Sequence, residues 1–257
     1  MSFYNLIFVS LLFITKNKAM KISPDSTLGE VVKGNFNTAA VFQANNMDFC
    51  CGGSINIADA CSKAGIDAGQ LIARLEAAAA QTDPDSEYIN SLEPDELCTY
   101  IIKRHHEYVR KNIPLLTKNL EKICQVHGEH HPELYKIRDL FTQSAGNLTM
   151  HMQKEEIMLF PYIQRLARAK RDHAALAGSP FGSVSNPIGA MVAEHQAEGE
   201  RFDEIAKLSG NYQLPGDACA TFEVTYQQLK GFEDDLHRHI HLENNILFPK
   251  AIELENH

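Results

Sequence analysis

The sequence has no tryptophan, and it has no segment in which lysine and arginine accumulate. Its 257 residues carry a formal net charge of -9 with histidine neutral. Proteins that bind nucleic acid present a clustered basic surface, so this distribution of charge argues against DNA or RNA as a partner. Strict alternation of apolar and polar residues is also missing, which disfavours a fold built on half-buried strands.

Cysteine is too sparse for a disulfide-stabilised scaffold. The chain has six cysteines, and they are scattered along its length. In a chain of this size, such a pattern is typical of reduced thiols in the cytoplasm. Four of the six are expected to pack between helices as small apolar side chains: Cys61, Cys98, Cys124 and Cys219.

Two familiar metal-binding motifs are missing as well. The sequence His-Glu-x2-His, with which zinc proteases bind their metal on one helix, does not occur. The Glu-x2-His motif of ferritin-like bundles does not occur either. Any metal centre in this chain must therefore be built from another arrangement of ligands.

The first nineteen residues are the least typical of a cytoplasmic protein. Residues 3–14 are strongly apolar, and Lys16 and Lys18 follow them. A signal peptide carries basic residues before its apolar segment, and this run is also short for a membrane span. We interpret residues 1–19 as an over-extended start or a signal-like segment. A chain started at Met20 is expected to be cytoplasmic and active, without stable membrane insertion. Release of the native protein from membranes when residues 1–19 are deleted would contradict this interpretation.

The remaining sequence divides into two helical units. Residues 20–80 are predicted to form a small helical domain, because capping residues such as Thr27 precede short apolar turns. Residues 81–90 are polar and turn-rich and are interpreted as a linker. Residues 91–257 are predicted to hold four long helices, at about 94–125, 132–171, 187–210 and 217 to the C-terminus. The predicted fold class is therefore all-α, with an up-down four-helix bundle after a small helical N-terminal domain.

One short pattern occurs twice in the predicted bundle. Residues 151–161 and residues 239–249 both read His-x3-Glu-x3-Leu-Phe-Pro. Residues four apart lie on one face of a helix, so each copy directs an imidazole and a carboxylate the same way. The proline that closes each copy is expected to kink or end its helix. Two such elements that face each other across a bundle predict a binuclear metal centre.

The other two long helices are expected to supply further ligands. An apolar row of the first helix repeats every seven residues, and His106 lies on it, whereas His105 falls on a polar row. His195 is the only histidine of the third helix, and it continues an apolar stripe. Gly199, one turn later, is expected to leave room beside His195.

The spacing of these histidines indicates two similar halves. His106 and His151 are 45 residues apart, and His195 and His239 are 44 residues apart. The predicted metal site consists of four imidazoles and two carboxylates: His106, His151, Glu155, His195, His239 and Glu243. Such a ligand set suits iron or manganese, with the carboxylates bridging two metal ions.

Other polar residues near this site are assigned different roles. Three glutamates adjoin predicted ligands but are expected to point elsewhere, as outer or surface groups: Glu107, Glu156 and Glu194. Two histidines flank His239 at a distance of two residues and are expected on other helix faces: His237 and His241. Three histidines occupy a glycine-containing loop and are expected to be solvated: His127, His130 and His131.

Cys50 and Cys51 are followed by two glycines, which predicts a tight turn that exposes backbone and sulfur. The residues alone leave two interpretations open: a buried structural turn, or a reactive or metal-handling thiol pair. A disulfide between adjacent cysteines would strain the peptide between them, so none is expected.

Residues 20–257 resemble the iron–sulfur cluster repair di-iron proteins, the "repair of iron centers" family. These proteins join a short Cys-Cys-Gly-Gly domain to a hemerythrin-like bundle. The resemblance is carried by five motifs: Asp48-Phe-Cys-Cys-Gly-Gly53, His105-His106-Glu107, His151-x3-Glu155-Glu156, Glu194-His195 and His239-x3-Glu243-Asn-Asn-x-Leu-Phe-Pro249. It implies a non-haem centre of two carboxylate- and oxo-bridged iron ions. In that centre His106, His151, His195 and His239 are terminal ligands and Glu155 and Glu243 are bridges.

The resemblance also implies a function. It implies cytoplasmic repair of iron–sulfur clusters damaged by oxidative or nitrosative stress, with iron supply as the expected step. Damaged or apo iron–sulfur proteins are then the partners, and the functional interpretation of Cys50 and Cys51 is favoured. Two alternatives use the same centre: a hemerythrin-like sensor or carrier of dioxygen or nitric oxide, and a nitric oxide reductase. A simple oxygen carrier would not need the Cys-Cys-Gly-Gly domain. Whether the protein is an enzyme and whether it forms a homodimer are left open.

Overall fold

The computed structural model describes residues 21–174 and 178–256, so the predicted start segment lies outside the described residues. Every regular element in these two ranges is helical, apart from one isolated bridge between Thr27 and Asn56. The all-α prediction is therefore confirmed. Among the helices of these ranges, none is both long and apolar enough to cross a membrane.

Four short helices form the N-terminal unit. They are α1 (Leu28–Gly34), α2 (Ala39–Gln43), α3 (Ile57–Ala64) and α4 (Ala68–Ala79). The first begins with a capping box, in which the Thr27 side chain accepts from the Glu30 N–H and the Glu30 carboxylate accepts from the Thr27 N–H. Such caps satisfy backbone groups that the first turn of a helix leaves unpaired, which is how short helices become stable.

The predicted linker is mostly helical. Helix α5 (Pro84–Ser91) covers most of residues 81–90, and the Asp83 side chain caps it by accepting from the Ser86 N–H. Asp83 also accepts from the N–H of Phe36 at 2.7 Å. The turn-forming residues of the sequence therefore act as a helix cap, and they fix α5 to the N-terminal unit.

Seven helices form the bundle. They are α6 (Pro94–Ile101), α7 (Glu107–His127), α8 (Glu133–Lys154), α9 (Phe160–Arg171), α10 (Ser185–Leu208), α11 (Ala220–Leu242) and α12 (Phe248–Asn256). Helix α6 runs on into α7, α8 into α9, and α11 into α12. With α10, these pairs make the four long helices that the sequence predicts.

Each of the three continuations is a single π turn. These turns are Ile102–His106, Glu155–Leu159 and Glu243–Leu247. The N–H of Phe160 donates to the carbonyl of Glu155, and the N–H of Phe248 donates to that of Glu243, five residues back. Pro161 follows the second π turn and lies in the first turn of α9. The expected interruption of the helix therefore takes the form of a π turn rather than a helix end. π turns of this kind occur frequently at functional sites.

The apolar core forms two clusters with the predicted ligands between them. One cluster joins the N-terminal unit to α7, α8, α10 and α11 and includes Phe42, Phe141 and Phe232. The other joins α6, α9, α12 and the start of α10 and includes Phe160 and Phe248. Because the N-terminal unit shares a core with the bundle, it is packed against the bundle and is not merely tethered to it.

The Cys-Cys-Gly-Gly turn contacts the π turn between α11 and α12. The side-chain amide of Asn245 donates to the carbonyls of Phe49 and Cys50, at 3.3 and 3.2 Å. A Cβ atom on Gly53 would lie 2.4 Å from Asn245 Oδ1 and 2.6 Å from the Phe49 carbonyl oxygen. A glycine is therefore required here for the close approach of the two segments.

Gly53→Ala is expected to destabilise the protein by about 2 kcal/mol, because the new methyl group overpacks a contact that includes backbone. Gly146→Ala is the matched control, since this exposed glycine of α8 has no atom within 4 Å of a new Cβ. The control is expected to stabilise by up to about 1 kcal/mol, the ordinary helical preference of alanine over glycine. Urea unfolding measures both, and equal changes in the two variants would contradict the contact.

Glu233 gives the fold a specific dependence on pH. Burial raises the pKa of this carboxyl to about 7, against the opposing attraction of Lys230, whose Nζ lies 3.5 Å away. In the unfolded chain a glutamate has a pKa of about 4.3. The folded state therefore binds the extra proton, and the stability contributed by Glu233 is present below about pH 4.3 and is lost as pH rises to about 7.

Glu233→Gln removes this titration. Relative to the wild type, the variant is expected to gain up to about 3 kcal/mol in free energy of unfolding between acid and weakly alkaline pH. The measurement is urea unfolding of both metal-free proteins at each pH, so that the titration of all other groups cancels. A difference between the two proteins that does not change with pH would show that Glu233 has the same pKa in the folded and unfolded states, and would contradict the raised pKa.

Candidate metal centre

The six predicted ligands converge in one buried layer of the bundle. All are at most 3% exposed: His106, His151, Glu155, His195, His239 and Glu243. Their ligand atoms form two groups, in each of which all atoms lie within 4.8 Å of one another. One group holds His106 and His239, the other holds His151 and His195, and both include Glu155 and Glu243.

The imidazoles face each other in pairs. The Nε2 atoms of His106 and His239 are 3.2 Å apart, and those of His195 and His151 are 3.0 Å apart. Each pair joins two helices of the bundle, because His106 ends the π turn before α7 and His239 lies on α11. Two ring nitrogens at this separation present their lone pairs to the same small volume, which is how two histidines bind one cation.

Both carboxylates lie between the two imidazole pairs. Glu155 Oε2 is 3.3 Å from His106 Nε2 and 3.4 Å from His151 Nε2. Glu243 places Oε1 2.9 Å from His239 Nε2 and Oε2 3.0 Å from His195 Nε2. Each glutamate therefore contacts one imidazole of each pair. Glu155 belongs to the first copy of the repeated pattern and Glu243 to the second.

The buried carboxylate oxygens that lack a hydrogen-bond partner fit a bound cation. Within the described ranges, three carboxylate oxygens in this layer have no hydrogen-bond partner: Glu155 Oε1, Glu155 Oε2 and Glu243 Oε2. Buried polar atoms are nearly always paired, and an unpaired buried carboxylate is costly. A metal between the carboxylates and the Nε2 atoms would satisfy both sets of atoms. The mixture of imidazole and carboxylate donors, without sulfur, suits iron.

The electrostatics of the layer also favour a cation. Burial raises the pKa of Glu243, but the adjacent His239 and His195 outweigh burial and hold it well below its ordinary range. Burial lowers the pKa of His151, but the charge of Glu155 outweighs burial and raises it to about 10. The carboxylates therefore hold positive charge beside them, as protons on imidazole or as a metal ion that displaces those protons.

Three of the imidazoles are held from outside the layer through Nδ1: His106 by Glu156 (2.6 Å), His151 by Glu194 (2.8 Å) and His195 by Asn244 (2.9 Å). Such bonds fix the orientation of the ring and leave Nε2 free for a metal. Glu156 and Glu194 are thus outer groups, one of the two roles expected for them, and each contacts a ligand on a neighbouring helix. Glu107, by contrast, is exposed.

Glu156 and Asn244 occupy equivalent positions in the two copies of the pattern. Each directly follows a glutamate of the centre, and each binds the imidazole of the adjacent helix. The role of Asn244 was not predicted from the sequence, although the polar residue after the glutamate in both copies was a signal for it. The two halves of the bundle are therefore similar in their outer contacts as well as in their ligands.

His105 is buried rather than solvated, with 1% of its surface exposed. Its ring stacks on that of His239, with centroids 5.5 Å apart, and its Nδ1 donates to Asp235 at 3.1 Å. The assignment of His105 to a polar row was wrong, because the row was extended from α7 through Ile102–His106. A π turn holds an extra residue, so it rotates His105 and His106 together toward the core.

Cys50 and Cys51 lie beside the centre. The Asp48 carboxylate forms the turn by accepting from the N–H groups of Cys50, Cys51 and Gly52, at 3.0, 2.8 and 2.9 Å. The two sulfurs are unbonded thiols 4.0 Å apart. Asn244 connects the turn to the centre, since its amide donates to the Cys50 carbonyl at 3.3 Å while its oxygen accepts from His195.

The predicted exposure of sulfur is wrong for Cys50, which is 4% exposed. The hydrogen bond with Cys51 and burial raise the pKa of the Cys50 thiol well above its ordinary range, so a free thiolate is disfavoured there. The expectation that Gly199 leaves room beside His195 is wrong, because a Cβ atom built on Gly199 would meet Cys51 Sγ, at an ordinary contact distance of 3.7 Å, and no atom of His195 within 4 Å. A chemical role for the thiol pair stays a prediction.

A cavity approaches the centre from one side. It has a volume of about 240 Å³, and its lining includes His151, His195, Glu194 and Lys154. The His106 and His239 side chains do not line it. The two halves of the centre therefore differ in their access to small molecules.

Several other expectations for single residues were wrong. His127 is buried and His131 half-buried, because Phe222 of α11 packs edge-on against both rings at 5.3 and 5.7 Å. His241 stays outside the ligand groups, as expected; it is buried against Phe49, and burial lowers its pKa to about 3. Cys219 is exposed, whereas three other cysteines are buried as expected: Cys61, Cys98 and Cys124.

Comparison with known proteins agrees with this architecture. Residues 98–251 match the family described as the hemerythrin HHE cation binding domain. Residues 24–79 match the ScdA_N domain, described as a domain of unknown function.

Whole-chain relatives are also found. The chain is 31% identical over 230 residues to iron-sulfur cluster repair protein ScdA of Staphylococcus haemolyticus, an alignment that covers 89% of this chain and 99% of that protein. It is 37% identical over 214 residues to iron-sulfur cluster repair protein YtfE of Yersinia pestis, covering 82% of this chain and 90% of that protein. The YtfE protein of Yersinia pseudotuberculosis is 36% identical over the same length. The chain therefore belongs to the iron–sulfur cluster repair family, whose members include ScdA and YtfE, and it carries that family's hemerythrin HHE cation-binding domain.

Proposed function

We propose that this chain repairs damaged iron–sulfur clusters by supplying iron from a centre of two iron ions. The observation that carries the proposal is the position of Glu155 and Glu243, each between 2.9 and 3.4 Å from an imidazole of both pairs. His106 and His239 would hold one ion, and His151 and His195 the other. The names of the relatives, iron-sulfur cluster repair proteins, support the same function.

The ligand set is suited to the release of iron. Each ion would receive only two imidazoles of its own, and the carboxylate donors are shared with its neighbour. Iron accepts more donors than this, so bound iron would supply exchangeable coordination positions and reversible oxidation and reduction. The chain itself buries the ligands and fixes three of the rings through Glu156, Glu194 and Asn244.

The two ions are expected to differ in lability. The cavity of about 240 Å³ reaches His151 and His195, so the ion held by this pair has the shorter path to solvent. His239, which would hold the other ion, is covered by the stacked ring of His105. Iron donated to an acceptor would therefore come first from the His151 and His195 side.

The partners in this proposal are damaged or apo iron–sulfur proteins of the cytoplasm. Scattered free thiols suit that reducing compartment, and all six cysteines are unpaired in the part of the chain that the structure describes. The negative formal charge of -9 argues against nucleic acid as a competing partner.

Metal content is the first test. The purified protein is expected to hold about two iron ions per chain and, when oxidised, to show the near-ultraviolet absorption of an oxo-bridged pair. Elemental analysis and absorption spectroscopy measure this. Tight binding of a single zinc ion in place of iron would overturn the assignment.

Iron transfer is the second test. Protein loaded with labelled iron is mixed with an apo iron–sulfur hydratase, sulfide and a reductant, in the presence of a chelator that removes free iron. Label is expected to enter the hydratase and restore its activity, faster than from an equal amount of free iron. Transfer no faster than from free iron would contradict repair by iron supply.

The cavity beside His151 also favours a second function, the binding of nitric oxide or dioxygen by the same centre. A diatomic molecule fits within about 240 Å³. Consumption of nitric oxide over many turnovers, without loss of labelled iron, would favour reduction over repair. Stoichiometric uptake without turnover would favour a sensor.

A further inference from the structure

A row of aromatic rings leads from the surface to one ligand of the metal centre. His105 stacks on His239 with the ring planes 8° apart, and Tyr100 packs edge-on against His105 with centroids 6.1 Å apart. Tyr88 packs edge-on against Tyr100, also at 6.1 Å. His239 and His105 are each 1% exposed, Tyr100 is half-buried, and Tyr88 is 55% exposed. These four rings, the aromatic row, therefore connect the buried centre with solvent.

The aromatic row is assembled from four segments. Tyr88 lies on α5, Tyr100 on α6, and His105 in the π turn that follows α6. This π turn directs His105 toward the core, where its ring meets His239 of α11. The segment that the sequence predicts as a linker thus carries the exposed end of the row.

His105 is close to the centre without being one of its ligands. It belongs to neither group of metal-binding side chains, and its Nε2 atom is buried without a hydrogen-bond partner in residues 21–174 and 178–256. The Nδ1 atom of His239 also lacks a partner in these ranges, whereas the other three ligand imidazoles each have one. At His239, stacking on His105 therefore takes the place of a hydrogen bond.

The other rings that stack on ligands end inside the protein. Phe160 stacks on His106 at 5.7 Å, and Phe248 stacks on His195 at 6.1 Å. Both phenylalanines are buried, and neither packs against a further aromatic ring in the part of the chain that the structure describes. Within that part, His239 is therefore the ligand at which a row of rings from the surface ends.

The outer end of the aromatic row lies in an open groove of about 560 Å³, which Tyr88 and Tyr100 both line. The groove is also lined by three cationic side chains: Lys103, Arg104 and Arg168. Its two acidic side chains are Asp95 and Glu96, and Asp95 is paired with Arg171 at 3.1 Å. Exposed tyrosine rings and an excess of positive charge suit a planar, anionic molecule, and a reduced flavin with its phosphate is a one-electron donor of this kind.

We infer that the aromatic row is the path by which electrons reach the centre, and this inference rests on the two-iron centre of the proposed function. A reduced flavin in the groove gives up one electron, which tunnels across the ring contacts to His239. One iron(III) ion becomes iron(II), and the flavin is oxidised by one electron. No ring of the row is itself oxidised, because the rings only bridge the distance between donor and iron.

The two halves of the centre would then have separate connections to solvent. The cavity of about 240 Å³ reaches His151 and His195, whereas the aromatic row reaches His239. A reductant small enough to enter the cavity does not need the row. A reductant too large for the cavity depends on it.

The test compares two reductants on the oxidised, iron-loaded full chain. Photoreduced flavin mononucleotide is too large for the cavity beside His151, whereas the sulfur dioxide radical anion from dithionite fits within it. Stopped-flow absorption follows the loss of the near-ultraviolet band of the oxo-bridged pair with each donor. Tyr100→Leu removes the second ring of the row, so reduction by the flavin is expected to slow severalfold while reduction by dithionite keeps its rate.

Tyr100→Phe keeps the ring and is expected to keep the rate of reduction by the flavin. Tyr135→Leu is the matched control, because this exposed tyrosine of α8 lies sixteen residues before His151, about 24 Å along the helix. Iron content and the midpoint potential of the pair are measured for every variant. Both are expected to stay unchanged, since no ligand is altered.

An unchanged rate with the flavin in Tyr100→Leu would overturn the path, and so would equal slowing with both reductants. Tyr88→Leu, at the exposed end of the row, gives the same comparison if Tyr100→Leu does not fold. Failure of the proposed function is seen separately, in the wild type. A wild type without iron, or with a centre that dithionite does not reduce, would overturn the two-iron centre and the path together.

Discussion

Glu155→Leu is expected to abolish iron binding and, at the same time, to raise the stability of the metal-free bundle. Glu155 is fully buried, and neither of its carboxylate oxygens has a hydrogen-bond partner in the described ranges. Without metal, burial and the repulsion of Glu243 disfavour the ionised form of Glu155, and the positive charge of His151 offsets them and keeps its pKa low. Leucine removes that cost, and His151 can then become neutral. Replacing a buried ionic group by an apolar one is commonly neutral or stabilising by about 1–4 kcal/mol.

Iron analysis and thermal melts of the apo protein measure the two effects together. At about 2–4 °C per kcal/mol for a chain of this size, the melting temperature is expected to rise by several degrees. The control is Glu253→Leu, an exposed glutamate of α12, which should change stability by no more than about 0.5 kcal/mol and leave iron content intact. Full iron loading in Glu155→Leu would refute the proposed role of Glu155 as a ligand shared by two iron ions.

The second large effect is expected when one of the two carboxylates that bind the Nδ1 atom of a ligand imidazole is removed. Glu194→Ala is expected to weaken iron binding at the His151 and His195 position by about 10–100-fold, because His151 loses the partner of its Nδ1. Glu156→Ala is expected to do the same at the position of His106. Each variant should therefore lose one of its two irons to a competing chelator well before the other.

The two variants serve as controls for each other, and Glu107→Ala controls for charge. Glu107 directly follows His106 in sequence but is exposed, so its loss is expected to leave both irons in place. The time course of iron release to the chelator shows one fast and one slow step if the prediction holds. A single step in both variants, or equal loss from Glu107→Ala, would contradict the assignment of an outer carboxylate to each position.

The residues that converge at the centre could be predicted because their positions follow from spacing along single helices. An imidazole and a carboxylate four residues apart share a helix face in any helical fold, so the two copies of the pattern identify His151, Glu155, His239 and Glu243 directly. His106 and His195 follow from the apolar rows on which they lie. None of these inferences needs the relative position of two helices.

The outer contacts could not be predicted in the same way. Glu156 lies off the face of Glu155 on its own helix, and only the lateral position of α7 brings His106 to it. The burial of His105 depends on the π turn at Ile102–His106. The extra residue of this turn changes the helix face on which the preceding residues lie, relative to the residues of α7. A seven-residue repeat extended through such a turn assigns the wrong face.

The sequence by itself determined the fold class, the two halves of the bundle and the six residues that converge at its centre, because these depend on helical periodicity and on a local repeat. Only the tertiary structure decided which side chains orient the imidazoles, that Cys50 is buried while Cys219 is exposed, and which half of the centre a cavity reaches. These features depend on contacts between segments far apart in the chain, such as the 194 residues that separate Cys50 from Asn244. The packing of the helices determines those contacts, and a local pattern of residues does not predict that packing.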